Sequence, residues 1–236
     1  FCRAVATIKM VKCDWTTGQI DLQDLEERIS ENTAAVYLEN PNYLGLIEKT
    51  GPQVAELAHN KGAFLVVGVD PMSLSVMAPP SSFGADITCG TAQPFGIHMN
   101  FGGGLCGFIG SSQEFVLEHP SPPLSIFTDE EGAFTFSKPT KTRSSYIQRE
   151  KSADFTGSLM TLWSITAGVY LALVGPQGLN ELGQTIMAKV AYAKQLLNQI
   201  PGVVTTVLGD GLNFKDFVVN FDGTGQTVAE INKALL

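Results

Sequence analysis

A single carboxylate follows the most apolar predicted strand of the chain. Asp70 comes directly after the run AFLVVGV (63–69), which predicts a strand. In open α/β sheets, ligands gather at the carboxyl ends of the strands. A carboxylate there can pair with a protonated ring nitrogen, such as the pyridinium of pyridoxal phosphate. Asp70-Pro71 is also a good helix start, with Asp as N-cap and Pro at the first helical position. The two interpretations have equal weight, and one residue can satisfy both.

The amine that such a cofactor needs is missing from the expected place. A pyridoxal enzyme forms a Schiff base through a lysine, and we expect that lysine at a following strand end, near residues 90–95. The sequence reads GTAQP there, and neither lysine nor arginine occurs between Lys61 and Lys138. The stretch Gly62–Ser137 therefore offers no Schiff-base lysine, and we predict no catalytic residue of this type in the chain.

Three other patterns give weaker signals. The run GGGLCG (102–107) matches GxGxxG, but it precedes a predicted strand instead of opening a helix, which disfavours dinucleotide binding. The histidines and cysteines lack paired metal-ligand spacing, so we predict no metal site. The cationic segment Lys138–Lys151 could reach an anionic ligand or a carboxylate-bearing partner. Taken alone, it is more typical of a solvated loop.

Composition narrows the function classes. The net charge of -8 and the absence of a basic cluster that would track a phosphate backbone disfavour nucleic acid as a partner. The scattered cysteines favour a reducing compartment, with Cys89 and Cys106 as buried thiols in apolar strands. The longest apolar run, LWSITAGVYLALVG (162–175), is too short to span a bilayer, so we predict a buried helix and no membrane contact.

The order of predicted elements indicates an α/β fold. Strand, helix and strand over residues 34–69 form a βαβ unit, and the strands ADITC and LCGFIG follow. The chain lacks an initiator Met and stops within a predicted helix, so we expect a piece of a longer protein. Further predictions are a surface excursion at 120–145, helices at about 156–174 and 178–200, and the strands VVTTVL (203–208) and DFVVNF (216–221). The predicted domains are 1–150 (large), 151–200 (connecting helices) and 201–236 (an incomplete small α+β domain).

Four runs of sequence carry a family resemblance. They are NPNYLGLIE (40–48), GVDPMSLSVMAPPSSFGADI (68–87), GTAQPFGIHMNFGGG (90–104) and TRSSYIQREK (142–151). In this order they are similar to the YPNFFG, VDPISL, GQPLGIPLSFGGP and TREQHIRREK runs of glycine dehydrogenase (decarboxylating). This family is the P-protein of the glycine cleavage system, and the chain resembles its subunit 1, or the N-terminal half of single-chain forms.

The resemblance implies a fold-type I pyridoxal-phosphate architecture. It consists of a large domain, with a mostly parallel sheet and helices on both faces, followed by a small α+β domain. It further implies that a partner, subunit 2, carries the cofactor lysine and holds pyridoxal phosphate. Together the subunits would decarboxylate glycine and transfer the aminomethyl group to the lipoyl group of a carrier, the H-protein. This chain alone would be inactive. A separate subunit implies the bacterial cytoplasm, or the mitochondrial matrix if the source is eukaryotic.

Motif positions supply the candidate residues that line the site, and several departures from the motifs qualify them. His98 and Asn100 stand where the family has proline and serine. Gly104 stands where the family has proline, and SADFTGSLMT (152–161) replaces an ATSNICTNQ run near the active site. A non-catalytic scaffold or regulatory paralogue that only binds a partner is therefore the alternative. A self-sufficient pyridoxal enzyme, such as a class V aminotransferase relative, is disfavoured by the missing lysine. The candidates are Asp70, Gln93 (near the place of the lysine), His98, Gly102, Gly103, Arg143 and Arg149, with Lys151 weaker.

Overall fold

The structure, a computed structural model, describes residues 6–99, 104–118, 125–137, 160–209 and 211–236. Its strands are β1 (Cys13–Asp14), β2 (Gln19–Ile20), β3 (Ala35–Glu39), β4 (Phe64–Val69), β5 (Ile87–Thr91), β6 (Gly107–Ser111), β7 (Ser125–Thr128) and β8 (Phe134–Ser137). Its helices are α1 (Leu22–Arg28), α2 (Gly51–Asn60), α3 (Thr161–Leu197) and α4 (Val228–Leu235). Short 3₁₀ turns lie at Ser73–Ser75, Pro80–Phe83, Gln113–Glu118 and Asp222–Thr224.

A four-stranded mixed sheet forms the centre of the fold. Its strand order is β3-β4-β5-β6. The pairs β3–β4 and β4–β5 are parallel, whereas β6 runs antiparallel to β5. Helix α2 connects the parallel strands β3 and β4, which confirms the predicted βαβ unit. The carboxyl ends of β3, β4 and β5 therefore lie side by side at one edge.

The core lies between one face of this sheet and the helices α1 and α2. Because side chains alternate along a strand, Leu65, Val67 and Val69 of β4 point together into this core. On the opposite face Tyr37, Phe64 and Ile109 are 58%, 42% and 46% exposed. The apolar run of β4 is thus not buried throughout its length. The core also contains Leu25, Ile29, Val36, Leu38, Val54, Ala55, Ala58 and Ala63.

Helix α3 contains a break that separates the two predicted helices. Gly175 has φ 66° and ψ 174°, which lies outside the helical region, and Pro176 follows it. Glycine adopts positive φ without a Cβ penalty, and proline cannot donate the hydrogen bond that would continue a helix. Two helical stretches therefore meet at Gly175-Pro176, close to the expected junction.

The first half of α3 is not the buried helix that the sequence suggested. By length and composition alone, α3 is long and apolar enough to cross a membrane, and little of its most apolar part is buried. Its exposed side chains fall three or four residues apart, on one face of the helix. They are Leu162, Ile165, Val169 and Leu173.

The predicted surface excursion contains a hairpin. Strands β7 and β8 pair antiparallel, with Ile126 opposite Phe136, within the region 120–145. Asp129 closes the turn, since its Oδ1 accepts hydrogen bonds from the backbone N–H groups of Glu131 and Ala133. The remainder of that region, at 119–124 and 138–159, lies outside the described residues.

The two strands predicted near the C-terminus are wrong. Val204 and Asn220 form only an isolated antiparallel bridge, with N···O distances of 2.7 and 2.8 Å. The next residue, Thr205, donates both its backbone N–H and its hydroxyl to the side chain of Asn198. These bonds take the backbone out of the ladder after one pair, which the local sequence pattern does not reveal.

Candidate functional site

The candidate site lies at the sheet edge where the parallel strands end. Asn40 follows β3, Asp70 follows β4, and Gln93 lies two residues beyond the end of β5. The parallel pairing brings these three strand ends to one edge, which is where open α/β sheets bind ligands. The sequence-based expectation about Asp70 is therefore correct in position. The partners of each side chain show what the edge can do.

Asp70 makes two sets of hydrogen bonds within the chain. Its Oδ1 accepts from the backbone N–H of Met72 at 2.9 Å, and its carbonyl accepts from both N–H and hydroxyl of Ser73. The capping interpretation is wrong in detail, because Met72 and not Asp70 precedes the 3₁₀ turn Ser73–Ser75, and Pro71 is not the first residue of that turn. Asp70 Oδ2 accepts from Lys215 Nζ at 2.5 Å.

The pairing with Lys215 was missed by sequence reasoning, because the partners lie 145 residues apart. Lys215 belongs to the segment 212–216, which runs along residues 45–47. Ile47 N–H donates to the Leu212 carbonyl at 2.8 Å, and Phe214 N–H donates to the Gly45 carbonyl at 3.3 Å. Neither the spacing nor the composition of the run NFKDF indicates that its lysine reaches a strand end.

Gln93, in the expected place of the lysine, forms hydrogen bonds within the loop after β5. Its Nε2 donates to the Ile97 carbonyl at 2.8 Å, and its backbone N–H donates to Thr91 Oγ1 at 3.2 Å. The side chain is half-buried. A primary amide has no nucleophilic amine, so Gln93 shapes the loop and cannot form a Schiff base.

The loop after β5 packs against the first half of α3. Phe95 stacks on Tyr170 with ring centroids 6.2 Å apart, and Cys106 Sγ lies 3.3 Å from Ser164 Oγ. Trp163 packs so closely on Gly104 that a Cβ at residue 104 would lie 1.9 Å from the indole ring. Glycine at position 104 therefore accommodates the tryptophan.

The other candidates are only partly described. His98, in the same loop, is exposed. Gly102, Gly103, Arg143 and Arg149 lie outside the described residues, as do Lys151 and the altered segment 152–159. Their placement at the site stays a prediction. The structure also corrects one expectation for the thiols, since Cys106 is buried whereas Cys89 is only half-buried.

Asn40 and Glu48 are buried at the end of β3, but their polar atoms are all engaged. The Asn40 side chain exchanges two hydrogen bonds with the backbone of Glu48, each 3.1 Å long. The Glu48 carboxylate accepts from Ile20 N–H and from both the N–H and the hydroxyl of Thr50. These bonds tie the β1–β2 hairpin to the sheet edge, so Glu48 has a structural role.

Tyr37 and Glu39 form a polar pair on the open face of the sheet, near the strand ends. The Tyr37 hydroxyl donates to Glu39 Oε1 at 3.0 Å and lies above Gly68, where a Cβ would approach it within 2.4 Å. Burial of the hydroxyl, followed by the hydrogen bond and the charge of Glu39, raises the pKa of Tyr37 to about 12. The phenol therefore stays protonated at neutral pH and acts as a donor.

These residues do not fit pyridoxal phosphate. A Schiff base requires a lysine, and Gln93 stands at the strand end instead. The carboxylate that a pyridinium would face at the strand end, Asp70, already binds the ammonium group of Lys215. Among the residues that the structure describes, no three His, Cys, Asp or Glu side chains cluster as metal ligands. A nearby pocket, lined in part by Leu44, Lys194 and Asn213, has room for about one water molecule.

Comparison with known proteins shows the family of the chain. The sequence profile described as "Glycine cleavage system P-protein" matches residues 3–233. A relative from Pyrococcus furiosus, named "Probable glycine dehydrogenase (decarboxylating) subunit 1", is 37% identical over 95% of this chain and 50% of its own length. A relative of the same name from Shouchella clausii is 33% identical over 97% of this chain and 50% of its own length. The chain thus spans about half the length of the curated relatives it matches.

Solved structures agree on the fold. A glycine decarboxylase (P-protein) of the glycine cleavage system, in inhibitor-bound form, superposes with a TM-score of 0.78 at 32% identity. It covers 89% of this chain and 46% of its own. A sphingosine-1-phosphate lyase from Burkholderia pseudomallei has a TM-score of 0.58 at 18% identity, covering 85% of this chain and 43% of its own, which shows the fold alone. The neighbours are pyridoxal-phosphate enzymes of fold type I, so this chain has that α/β fold. On the sequence profile, the relatives and the superposition together, the chain belongs to the glycine cleavage system P-protein family.

Proposed function

We propose that this chain is part of the lysine-free subunit of a two-subunit glycine dehydrogenase (decarboxylating). With a lysine-bearing subunit 2, it would decarboxylate glycine and transfer the aminomethyl group to the lipoyl group of the H-protein. The observation that carries the proposal is Gln93 at the strand end, within a chain of this family that has no lysine between Lys61 and Lys138. The relatives named subunit 1 support the same assignment.

The cofactor in this proposal belongs to the partner. Pyridoxal phosphate would be held by subunit 2, because the described residues of this chain place no lysine at the end of β5, and the strand-end carboxylate of Asp70 pairs with Lys215. The contribution of this chain would be the shape of the pocket and part of the approach of the lipoyl arm. His98 is the described candidate with an exposed side chain in the loop after β5. The proposed location is the bacterial cytoplasm, or the mitochondrial matrix in a eukaryote.

Reconstitution tests the proposal directly. The full-length subunit that contains this chain is mixed with subunit 2 and the H-protein, and glycine-dependent release of CO₂ is measured. Borohydride reduction and peptide mapping then locate the cofactor. We expect activity only with both subunits, and a modified lysine only on subunit 2. A stoichiometric adduct on a lysine of this chain would refute the assignment of the cofactor.

The competing function is a scaffold that binds the partner without contributing to the reaction. The observation in its favour is the double departure at Gly104 and residues 152–161. Within the reconstituted complex, His98→Ala separates the two functions. An enzyme subunit predicts a lower rate of CO₂ release at unchanged complex formation, and Lys233→Met, on the exposed face of α4, serves as the control. If subunit 2 is equally active without this subunit, the scaffold interpretation holds.

A further inference from the structure

We propose that Lys215 is a built-in substitute for a cationic ligand at the strand-end site. Its ammonium group binds the Asp70 carboxylate, so this site joins the sheet to the C-terminal segment 212–216 and does not bind a cofactor ring. The inference goes beyond the proposed function, because it concerns the chain's own fold. It holds equally for an enzyme subunit and for a scaffold.

The first support is that each carboxylate oxygen of Asp70 accepts a hydrogen bond from within the chain. Oδ1 accepts from Met72 N–H at 2.9 Å, and Oδ2 accepts from Lys215 Nζ at 2.5 Å. The Asp70 side chain is 20% exposed, whereas that of Lys215 is 46% exposed. A charge-assisted bond to a largely buried carboxylate is stronger than a bond between two exposed side chains. A cationic ring at this carboxylate would lie beside the positive charge of Lys215, which disfavours its binding.

The second support is that the segment 212–216 delivers the lysine in a fixed position. Phe214, next to Lys215, is 0% exposed and anchors the segment. Gly45 has φ 80°, and a Cβ there would lie 1.9 Å from the Asp216 carbonyl oxygen, so the two backbones touch. Because the segment is held on both sides of Lys215, little conformational entropy remains to be lost when the ion pair forms.

A third contact connects the same segment to α3. Lys194 Nζ donates to Asn213 Oδ1 at 2.7 Å, and Asn213 Nδ2 donates to the Asp216 carbonyl at 3.0 Å. The segment therefore links three parts of the fold: the end of β4 through Lys215, residues 45–47 through backbone bonds, and the second half of α3 through Asn213. These contacts hold the segment 212–216 in place independently of the ion pair between Lys215 and Asp70.

Hydrogen exchange in the assembled complex tests whether the ion pair between Lys215 and Asp70 holds the segment 212–216 against the sheet. The variants are Lys215→Met, Asp70→Asn and the double variant, with Lys215→Arg as the conservative change and Lys233→Met as a matched control. We expect Lys215→Met and Asp70→Asn each to speed exchange at the amides of Ile47 and Phe214 at least severalfold. The double variant should be no faster than either single one, because both remove one interaction. Lys215→Arg should exchange more slowly than Lys215→Met, and Lys233→Met should match wild type.

Two results would overturn the inference. If Lys215→Met leaves exchange at Ile47 and Phe214 unchanged, or if the two single effects simply add, the ion pair does not hold the segment 212–216 against the sheet. The second result concerns the cofactor, measured by absorbance of the same complexes. If Asp70→Asn lowers the bound pyridoxal phosphate or shifts its absorbance maximum while Lys215→Met does neither, Asp70 faces the cofactor. Neither readout depends on CO₂ release, so failure of the proposed function would leave this test intact.

Discussion

Gly104 and Trp163 should be energetically coupled, and the structure gives the size of the effect. A Cβ at residue 104 would lie 1.9, 2.2 and 2.3 Å from three ring atoms of Trp163, whereas ordinary contact begins at 3.4 Å. The indole would therefore have to retreat by about 1.5 Å from its place in the cluster with Ala167 and Cys106. Overpacking of this type costs about 1–3 kcal/mol.

The assay is urea unfolding followed by circular dichroism. We expect Gly104→Ala to lower the free energy of unfolding by about 1–3 kcal/mol. Trp163→Leu removes the ring that the new methyl group meets, so Gly104→Ala should cost markedly less in the Trp163→Leu background. The matched control is Gly110→Ala in β6, where a Cβ would meet nothing within 4 Å.

The coupling could fail in two ways. The free energy of unfolding of Gly104→Ala could lie within about 0.5 kcal/mol of the wild-type value. The indole ring would then move at little energetic cost, and the close contact would not constrain the loop. If the effect of Gly104→Ala is the same with tryptophan or leucine at position 163, its cause lies in the backbone and not in the ring. In either case Trp163 would not explain why glycine replaces the proline of the family motif.

Three further predictions follow from single interactions. Hydrogen bonding to Arg28 holds the pKa of the Asp24 carboxyl well below its usual value of 3.8. The carboxylate therefore stabilises the fold above that pH, and this contribution is lost as the pH falls below it. Asp24→Asn should flatten the acid-unfolding profile in this range, and an unchanged profile would contradict this. Phe214→Ala empties a fully buried site and should cost about 3–5 kcal/mol in urea unfolding, whereas a loss below about 1 kcal/mol would show that the segment 212–216 is not anchored there. Tyr37 should titrate near pH 12 when its absorbance is followed at alkaline pH. Glu39→Gln should lower the pKa of Tyr37, but not to that of a free phenol, because the hydroxyl stays partly buried. A midpoint unaffected by Glu39→Gln would refute the role of the pair.

The local elements were predictable because local forces decide them. Strand β4 was expected within one residue, and the strand, helix and strand of the βαβ unit were expected over residues 34–69, since apolar runs mark the strands. The same holds for the junction in α3 at Gly175-Pro176. The predicted family was confirmed because its motifs are contiguous stretches of sequence. The missing lysine needed no structure at all.

Long-range contacts were not predictable from the same patterns. Asp70 was expected at a strand end, but not that Lys215 would occupy its second oxygen. Gly104 was recognised as a departure, but not the ring of Trp163 that explains it. The run VVTTVL has the composition of a strand, yet the side chain of Asn198 takes the hydrogen bonds of Thr205 and ends the pairing.

The sequence by itself determined the βαβ unit, the break in α3, the family of the chain and the absence of a lysine between Lys61 and Lys138. These properties depend on neighbouring residues and on composition. Only the tertiary structure decided what replaces the ligand at the strand end. A contact between residues 70 and 215 becomes favourable only after β4, residues 45–47 and the anchoring Phe214 have brought the two charges together, and no local pattern encodes that meeting.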